Sequence, residues 1–417
     1  MINLIKGFHD ILPDHTPKWG FIVDTARSVL QRFGFREIVT QIMEKSELFQ
    51  RGIGQSTDIV EKEMYTFTDI SGDSLSLRPE ATAGILRSIV EHSLLKHEPV
   101  LKVFSIGPMF RRERPSKGRF RQFFQINAEV LGDDSHLTDA ETVFAASSIF
   151  QELGAENFSV EINSVGCKKC RAQYRSELKK YLQSSLNKLC PDCQRRFDTN
   201  PLRILDCKEP ECAIISRDAP LISDWLDMEC QDHFQRTLGA LNRIGVKYHQ
   251  EPRLVRGLDY YSRTAFEFVH SQLGRTKAIG GGGRYDSLIG ELGGPDVSGI
   301  GFGIGIERLA MNLPDENPVF RRQIDVFVAT IGSGARDISF DLVNQLRSKG
   351  FSVETRYSDM SLKAQMKTAD RIGAQWVIMM GDNELAQGMV TVRNMKTKEQ
   401  RLVELTGVEQ AVQGEIA

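Results

Sequence analysis

Long hydrophobic runs are absent from the sequence, and no apolar segment reaches the roughly 20 residues that a membrane-spanning helix needs. The N-terminus, MINLIKGFHDILPD, has neither the apolar core nor the small-residue cleavage site of a secretion signal. Cysteine is scarce and odd in number, at 7, which argues against the disulfide framework of a secreted protein. We therefore expect a cytoplasmic protein that is not bound to a membrane.

A strong excess of either charge is also missing. The 53 lysines and arginines nearly balance the 55 aspartates and glutamates, which leaves a formal net charge of -2. The total charge therefore does not indicate a nucleic-acid partner, and any basic surface must be local. The 417 residues are 41% hydrophobic and 26% charged, as in ordinary globular proteins, and are enough for two or three domains.

The order of helix-like and strand-like segments predicts an α+β domain followed by a small C-terminal α/β domain. Residues 100–110 and 120–131 have the pattern of two long neighbouring strands, which favours an antiparallel sheet with flanking helices. The segment FREIVTQIM is predicted to be a further strand. After a break at residues 313–323, strands and helices alternate, as in an α/β domain with a largely parallel sheet.

A change of composition marks an insertion within the first of these domains. From Cys167 to about Ser223, cysteine, lysine and arginine become frequent and strand patterns fade, which indicates a helical, cysteine-containing insertion. We therefore expect residues 1–166 and 224–313 to form one domain, residues 167–223 the insertion, and residues 324–417 the α/β domain.

The segment LVRGLDYYSRTAFEF, which starts at Leu254, has the composition of a site for a small anionic ligand. Arg256 offers a planar fork of donors that suits a carboxylate or a phosphate. Tyr260 and Tyr261 offer flat walls with hydroxyl tips. The alternative is a surface loop that leads into a strand.

Six basic residues and one acid lie between Arg111 and Arg121, in the loop that joins the two long strands. Arginines at the strand ends could reach a bound phosphate while the tip of the loop meets a polyanion. A solvated basic hairpin is the alternative.

Polar residues also lie along the second strand and before a helix. Gln125 and Glu129 are four residues apart on a strand and therefore share one face, together with Phe123, which could stack on a base. Glu80 precedes a predicted helix, where an acid can cap the helix or can hold a substrate ammonium group.

Two glycine-rich segments follow. The run Gly280 to Gly283 lacks the G-K-[ST] ending of a P-loop. In GIGFGIGIERL, which starts at Gly299, alternate glycines clear one face of a strand so that a ligand or a backbone can approach, with Arg308 beside it. Tight packing of strand on helix explains the pattern equally well.

The cysteines form C-x2-C pairs at Cys167 and Cys170 and at Cys190 and Cys193, a spacing like that of a zinc ribbon. Cys207 and Cys212 add further possible ligands. Zn2+ in the insertion and plain reduced thiols remain equal alternatives.

Assembled, these segments resemble the histidyl-tRNA synthetase family, and the likeness runs nearly from end to end. LVRGLDYY and GGGGRYD resemble its histidine-binding signatures, and the basic hairpin and GIGFGIGIERL resemble the second and third class II motifs. The segments that carry the resemblance are RGIGQSTDIVEKEMYTF, LRPEATAGILR, FRRERPSKGRFRQFFQINAEVLG, LVRGLDYYSRTAFEF, GGGGRYDSLI and GIGFGIGIERL.

The resemblance implies a class II catalytic domain, a homodimer and an anticodon-binding C-terminal domain. It implies that L-histidine attacks ATP, with Mg2+ on the phosphates, and that the histidyl group passes to tRNA(His). It also implies roles for residues that match the family's motifs. Arg256 and Arg111 would be catalytic; Glu80, Ala81, Thr82, Gln125, Glu129, Tyr260 and Tyr261 would bind histidine; Arg111, Arg119, Phe123 and Arg308 would bind ATP.

Three departures from the family's pattern are visible. Gln41 stands where the family usually has proline in the first class II motif, which could loosen the junction of helix and strand at the dimer interface. Phe124 stands where histidine is common, and Ala81 where glycine is more frequent. Because Phe124 alternates with Phe123 and Gln125, we expect it on the other face of the strand.

The alternative to a ligase is a synthetase-like regulatory paralogue of histidine biosynthesis that makes no adenylate. Such paralogues typically lack the C-terminal domain and parts of LVRGLDYY, and both are intact here. A third alternative, a nucleic-acid-binding module without catalysis, is opposed by the near-neutral charge. For tRNA we expect contacts from the hairpin tip at Lys117 and Arg119. In the C-terminal domain the candidates for phosphate contact are Arg393, Lys396, Lys398 and Arg401, with a solvated strand edge as the alternative.

Overall fold

The computed structural model describes residues 2–54, 57–258, 260–270, 278–314, 317, 320 and 324–413. The chain forms two compact units, one of Met1–Leu12 with Lys18–Asp315 and the other of Pro13–Pro17 with Glu316–Ala417. None of the helices in the described ranges has the length and apolar character to span a membrane.

An eight-stranded sheet is the centre of the first unit, in the order β1-β5-β6-β11-β10-β9-β7-β8. Its inner pairings are antiparallel, and β1 and β8 pair in parallel at the two edges. The strands are β1 (Arg36–Glu37), β5 (Leu101–Phe110), β6 (Gln122–Leu131), β7 (Phe158–Ser164), β8 (Tyr248–Gln250), β9 (Ser262–His270), β10 (Ala278–Arg284) and β11 (Gly299–Gly305). A small second sheet contains β2 (Met43–Lys45), β3 (Tyr65–Thr68) and β4 (Ser74–Leu77).

Helices of very different length accompany these sheets. They are α1 (Thr16–Arg32), α2 (Ser46–Ile53), α3 (Thr82–Glu91), α4 (His136–Glu152), α5 (Lys168–Gln183), α6 (Pro191–Thr199), α7 (Pro210–Ser216), α8 (Met228–Arg243), α9 (Leu288–Glu291) and α10 (Ile306–Ala310). Shorter turns of 3-10 helix lie at Leu94–Lys96, Leu186–Lys188, Pro201–Ile204 and Ile222–Trp225, and a π-helical turn lies at Ile59–Glu63.

One face of the eight-stranded sheet is the wall of the main hydrophobic core. Side chains such as Phe104, Ile126, Phe266 and Ile304 point from four strands into this core, where α1, α4 and α8 cover them. Because strand side chains alternate between faces, the residues between them lie on the opposite face. That face carries polar groups on β6 and glycines on β10 and β11, and it bears the candidate site.

The second unit contains a five-stranded sheet in the order β13-β12-β14-β15-β16. The first three strands in this order are parallel, and β15 and β16 add an antiparallel hairpin at the edge. Its elements are β12 (Ile324–Ile331), α11 (Ser333–Ser348), β13 (Val353–Thr355), α12 (Leu362–Arg371), β14 (Ala374–Gly381), α13 (Asp382–Leu385), β15 (Met389–Asn394), β16 (Gln400–Glu404), a 3-10 turn at Leu405–Gly407 and α14 (Val408–Gln413).

The predicted fold class is confirmed: an antiparallel sheet with flanking helices, a small α/β unit and a helical, cysteine-bearing segment are all present. The single strand predicted for FREIVTQIM is wrong. The segment splits into β1, which joins the large sheet, and β2, which joins the small one. Buried Arg78 holds the bend between them, because its Nη1 donates to the carbonyl oxygen of Thr40 at 3.2 Å.

Candidate active site

Two adjoining cavities open on the polar face of the large sheet, with volumes of about 880 Å³ and about 80 Å³. They meet at a shared wall. The residues that line both are Arg111, Gln125, Arg256, Leu258, Gly281 and Gly303. The arrangement can therefore hold a small ligand beside a larger one, with two arginines where the ligands meet.

Glycines on β11 leave room for the polar side chains of β6. Gly301 pairs with Glu129 and Gly303 with Asn127 in the antiparallel register. A Cβ atom at Gly301 would lie 1.7 Å from Oε2 of Glu129, and one at Gly303 would lie 3.0 Å from Oδ1 of Asn127. The prediction that the glycine alternation clears one face of a strand is therefore confirmed, and the groups that use the space are side chains of the next strand.

The small cavity contains two buried carboxyl groups. Burial raises the pKa of Glu129 to about 8, although Thr82 and Tyr285 both donate hydrogen bonds to it. The Thr82 hydroxyl lies 2.6 Å from Oε1 of Glu129. Burial also raises the pKa of Glu80, against hydrogen bonds that it accepts from the backbone N–H groups of Ala83, at 2.9 Å, and Thr82, at 2.8 Å. A cationic ligand group placed here would favour the ionised carboxylates.

Three tyrosines form the walls of the small cavity. The rings of Tyr260 and Tyr261 lie 4.7 Å apart between centroids, and Tyr285 meets Tyr260 edge-on at 5.7 Å. All three are buried, and their burial raises the pKa of each phenol, so they remain neutral hydrogen-bonding groups at neutral pH. Flat walls and hydroxyl tips suit a planar polar side chain. Asp259, which precedes them in the motif, is outside the described residues.

Arg256 lies in the loop before β9, and its side chain passes over the glycines of β10. It forms an ion pair with Glu267 on β9, and its guanidinium carbon lies 5.6 Å from the centroid of the Tyr261 ring. The path runs over Gly281, where a Cβ atom would lie 2.7 Å from Nη1 of Arg256. The buried Nε of Arg256 has no hydrogen-bond partner within the part of the chain that the structure describes. A half-buried arginine that lines both cavities suits an anionic ligand.

Arg111 is the second arginine where the cavities meet. Its Nε donates to the carbonyl oxygen of Pro79 at 2.8 Å, and its guanidinium carbon lies 5.3 Å from the centroid of the Phe123 ring. The backbone contact fixes the side chain, which lines both cavities. The site therefore places two positive charges beside two buried carboxyl groups.

The outer cavity is built around the basic hairpin. Arg119 pairs with Glu113 at 3.1 Å, and Arg308 donates from Nε to the carbonyl oxygen of Gly118 at 2.8 Å. The hairpin turns at Gly118, whose φ of 72° is readily adopted by glycine. Phe123, Arg119 and Arg308 all line the same cavity.

The comparisons with known proteins agree with this site. A family model described as histidyl-tRNA synthetase matches residues 7–309, and one described as anticodon binding domain matches residues 325–415. The histidine–tRNA ligase of Syntrophotalea carbinolica is 47% identical over 411 residues, which are 99% of this chain and 98% of that protein. That of Halothermothrix orenii is 48% identical over 398 residues, 95% of each chain.

The chain belongs to the histidyl-tRNA synthetase family.

Solved structures agree with this membership. The crystal structure of apo histidyl-tRNA synthetase from S. aureus matches with a TM-score of 0.83 at 34% identity, over 99% of this chain and 100% of that one. A structure from Bacillus halodurans, described as an ATP phosphoribosyltransferase regulatory subunit/histidyl-tRNA synthetase, matches with a TM-score of 0.66 at 20% identity, over 91% of this chain and 98% of that one. The second likeness shows the shared fold alone.

Nearly all residues singled out by the family's motifs line the two cavities. The small cavity is lined by Glu80, Thr82, Arg111, Gln125, Glu129, Arg256, Tyr260 and Tyr261. The large one is lined by Arg111, Arg119, Phe123, Gln125, Arg256 and Arg308. Ala81 lines neither cavity; it is buried at the start of α3, behind Glu80 and Thr82. Glu80 also caps α3, because it accepts hydrogen bonds from the backbone N–H groups of Thr82 and Ala83. Capping was the alternative role considered for this residue.

Three residues of the site carry no role in the sequence prediction. Asn127 lies between Gln125 and Glu129 on the same face of β6, so strand alternation could have found it. Tyr285 bonds to Glu129, and Glu267 pairs with Arg256. Phe124 lies on the opposite face as expected, with its ring 5.1 Å from that of Trp19.

The cysteines form two clusters in place of the single ribbon that the C-x2-C pairs indicated. Cys190 and Cys193 lie with Cys207 and Cys212, and each of these residues offers a ligand atom within 4.8 Å of the others. The second pair, Cys167 and Cys170, lies instead with Asp227 and Cys230, again within 4.8 Å. The ribbon is therefore wrong, because the chain brings Asp227 and Cys230, which follow the expected insertion, to the first pair. Both clusters could hold a metal.

Proposed function

We propose that the protein is a histidine–tRNA ligase, which activates L-histidine with ATP and transfers the histidyl group to the 3′ end of tRNA(His). The observation that carries the proposal is the junction of the two cavities at Arg111 and Arg256. A small acidic, tyrosine-walled cavity there adjoins a larger basic one. Relatives that are 47–48% identical over almost the whole chain support the same activity.

In this proposal the small cavity binds histidine. Glu80 and Glu129 would face its cationic groups, and Tyr260 and Tyr261 would enclose the imidazole ring. Thr82 and Gln125 would supply hydrogen bonds, with Ala81 packed behind them. Gly301 on β11 leaves room for the Glu129 carboxylate in this cavity, because a Cβ atom there would lie 1.7 Å from Oε2 of Glu129.

The larger cavity would bind ATP. Phe123 and Arg308 would hold the adenine ring, Arg119 would contact the phosphates from the hairpin, and Mg2+ would offset the negative charge of the phosphates. The histidine carboxylate would then attack the α-phosphorus, and pyrophosphate would leave with the bonding electrons. Arg111 and Arg256 would neutralise the negative charge on the oxygens of the α-phosphate in the transition state, since positioning and electrostatics dominate this chemistry.

The second step transfers the histidyl group to tRNA. A hydroxyl of the terminal adenosine would attack the carbonyl carbon of the adenylate, and AMP would leave. Lys117 and Arg119 on the hairpin would lie near the acceptor end. For residues 324–413 we propose anticodon binding with contacts near the β15–β16 hairpin, where Lys396 and Lys398 are exposed. Arg393 is half-buried and Arg401 donates to the carbonyl oxygen of Ala411 at 2.9 Å, so both are less free to contact phosphate.

We also propose a cytoplasmic homodimer with the expected domain limits. The segment around Gln41 supports the dimer, since Val39 is 88% exposed and Ile42 and Met43 are each 44% exposed. Apolar side chains so exposed at one place favour a protein partner. Because Arg78 also holds Thr40, the segment keeps a defined bend without the family's proline.

The runner-up function is the regulatory paralogue, for which the Bacillus halodurans structure gives a likeness of fold alone. Retention of both arginines and of the full set of small-cavity residues favours the ligase, because function depends on the site and not on the fold.

The test is histidine-dependent ATP–pyrophosphate exchange by the full chain and by Arg256→Ala. We expect exchange with the native chain and a loss of about 100-fold or more in the variant, as for removal of a transition-state donor. Arg236→Ala is the matched control, because Arg236 lies on α8 and its side chain is 60% exposed. Near-native exchange in Arg256→Ala would refute the role of this arginine, and no exchange by the native chain would favour the paralogue.

A further inference from the structure

We propose that the chain holds two separate zinc-type metal sites, each with four protein ligands. The insertion site consists of Cys190, Cys193, Cys207 and Cys212. The stem site consists of Cys167, Cys170, Asp227 and Cys230. Together they use all 7 cysteines of the chain, and all of these are free thiols rather than disulfides. The proposal does not depend on the ligase activity.

The spacing of the sulfur atoms in the insertion site matches a tetrahedral metal site. Zn–S bonds of about 2.3 Å in a tetrahedron place neighbouring sulfurs about 3.8 Å apart. Sγ of Cys190 lies 3.9 Å from Sγ of Cys207, and the ligand atoms of all four cysteines lie within 4.8 Å of one another. Burial of thiols in a core would not by itself bring four sulfurs to one point. Cys193 and Cys212 are fully buried, as expected of a structural site closed to solvent.

The stem site has the same geometry with one oxygen ligand. Sγ of Cys167 lies 3.5 Å from Sγ of Cys170 and 3.4 Å from Oδ2 of Asp227. The other carboxylate oxygen, Oδ1, caps α8 by accepting the backbone N–H of Cys230 at 2.8 Å. Helix capping therefore explains only one of the two oxygens, and the second is directed at the thiols.

Three pairs of ligands share one local structure. Cys167 precedes α5, Cys190 precedes α6 and Asp227 precedes α8, and in each case a cysteine follows three residues later in the first turn. The positive end of a helix dipole favours a thiolate, which is the form that binds metal. The sequence C-x2-C indicated two of these pairs, and D-x2-C at 227–230 is the third.

Backbone N–H groups support the thiolates in both sites. The N–H of Cys190 donates to Sγ of Cys212 at 3.2 Å, and the N–H of Asp227 donates to Sγ of Cys170 at 3.2 Å. Such bonds to the ligands of a metal orient them and balance their negative charge. Soft thiolates with one carboxylate in a tetrahedral arrangement select Zn2+ over harder divalent ions.

The stem site ties the two ends of the insertion to each other beside the candidate active site. Next to it, the N–H of Val165 donates to the carbonyl oxygen of Arg263 at 2.7 Å. In α5, Arg171 donates to the carbonyl oxygen of Tyr261 at 2.7 Å. We therefore expect the metal of the stem site to position the tyrosine wall, whereas the metal of the insertion site stabilises the separate core of the insertion.

The test is metal analysis of the full chain, purified without chelator from cells supplied with zinc. We expect two zinc ions per chain, one in Cys212→Ser and one in Cys230→Ser. Asp227→Asn should weaken zinc binding at the stem site at least tenfold while its amide still caps α8. Asp224→Asn, at an exposed aspartate on the preceding 3-10 turn, is the control and should keep both ions.

A second measurement, on the native protein, tests the proposal even if the variants fail to fold. Cobalt-substituted native protein should have thiolate-to-cobalt charge-transfer and tetrahedral d–d bands for two ions, and its thiols should react with a thiol reagent only after metal removal. Native protein with one metal or none, or with 7 freely reacting thiols, would overturn the proposal. Reversible disulfides within the clusters in place of metal would also overturn it.

Discussion

Replacing Gly301 with alanine should disable the small cavity, proposed above to bind histidine, through a single methyl group. Its Cβ would lie 1.7 Å from Oε2 of Glu129 and 2.5 Å from the carbonyl oxygen of Ala128, which belongs to the backbone of the neighbouring strand. Since the strand is fixed in the sheet, the carboxylate must move and lose its hydrogen bonds from Thr82 and Tyr285.

The magnitude follows from these losses. Overpacking costs about 1–3 kcal/mol, and each buried hydrogen bond lost costs about 1–3 kcal/mol. The free energy of unfolding should therefore fall by about 3 kcal/mol or more. Displacement of the Glu129 carboxylate, which is proposed to face histidine, should also raise the KM for histidine by about tenfold to 100-fold, at 1.4 kcal/mol for each factor of ten.

The assay is histidine-dependent pyrophosphate exchange together with urea unfolding, applied to three matched variants. Gly303→Ala should have a milder effect, because its Cβ would lie 3.0 Å from Oδ1 of Asn127. Gly305→Ala should be nearly neutral, because the nearest atom would be 3.6 Å away. A histidine KM within twofold of native in Gly301→Ala, or equal effects in all three variants, would refute the reasoning.

Three further predictions concern charged groups of the site. Glu267→Gln should lower pyrophosphate exchange about tenfold or more, because it releases Arg256 from its ion pair. The control is Glu229→Gln, which breaks the ion pair of a 75% exposed carboxylate with Arg263 and should change exchange less than twofold. Equal effects of the two variants would contradict the positioning role of Glu267. Burial raises the pKa of Glu129 to about 8, so the folded protein favours the protonated carboxyl group. The contribution of this group to the free energy of unfolding is therefore fully present below pH 4.5 and is lost as the pH rises to about 8. Glu129→Gln should therefore gain stability relative to native over that range, and histidine binding at pH 7 should release close to one proton in calorimetry with buffers of different ionisation enthalpy; no release would contradict the assignment. Arg111→Ala should weaken the use of both ATP and histidine in exchange; a change in tRNA affinity alone would contradict its place at the phosphate.

The long elements of the fold were predictable because their hydrophobic periods agree with their local propensities. Strands β5 and β6, helix α1 and the alternation after residue 324 all follow the expected pattern. The split of FREIVTQIM was not predictable, because it depends on Arg78, which contacts the segment from 37 or more residues away along the chain. The edge hairpin β15–β16 also limits the parallel part of the second sheet to three strands.

For the site, the sequence indicated most of the polar residues that line the two cavities but not their partners. Gln125, Glu129 and Arg256 carry chemistry that a motif reveals. The pairing of Arg256 with Glu267 depends on the register of β9 and β10, in which Glu267 lies opposite Gly281. Cys190, Cys193, Cys207 and Cys212 were named as possible ligands, but the division into two clusters was not predicted, because Asp227 and Cys230 approach Cys167 only in the folded chain.

Under the proposed function, this chain activates histidine and no other amino acid. The decisive measurement is ATP–pyrophosphate exchange with each of the standard amino acids in turn. We predict rapid exchange with L-histidine and background exchange with the others, because the acidic, tyrosine-walled cavity fits a planar polar side chain. No exchange with histidine, or faster exchange with another amino acid, would contradict the account.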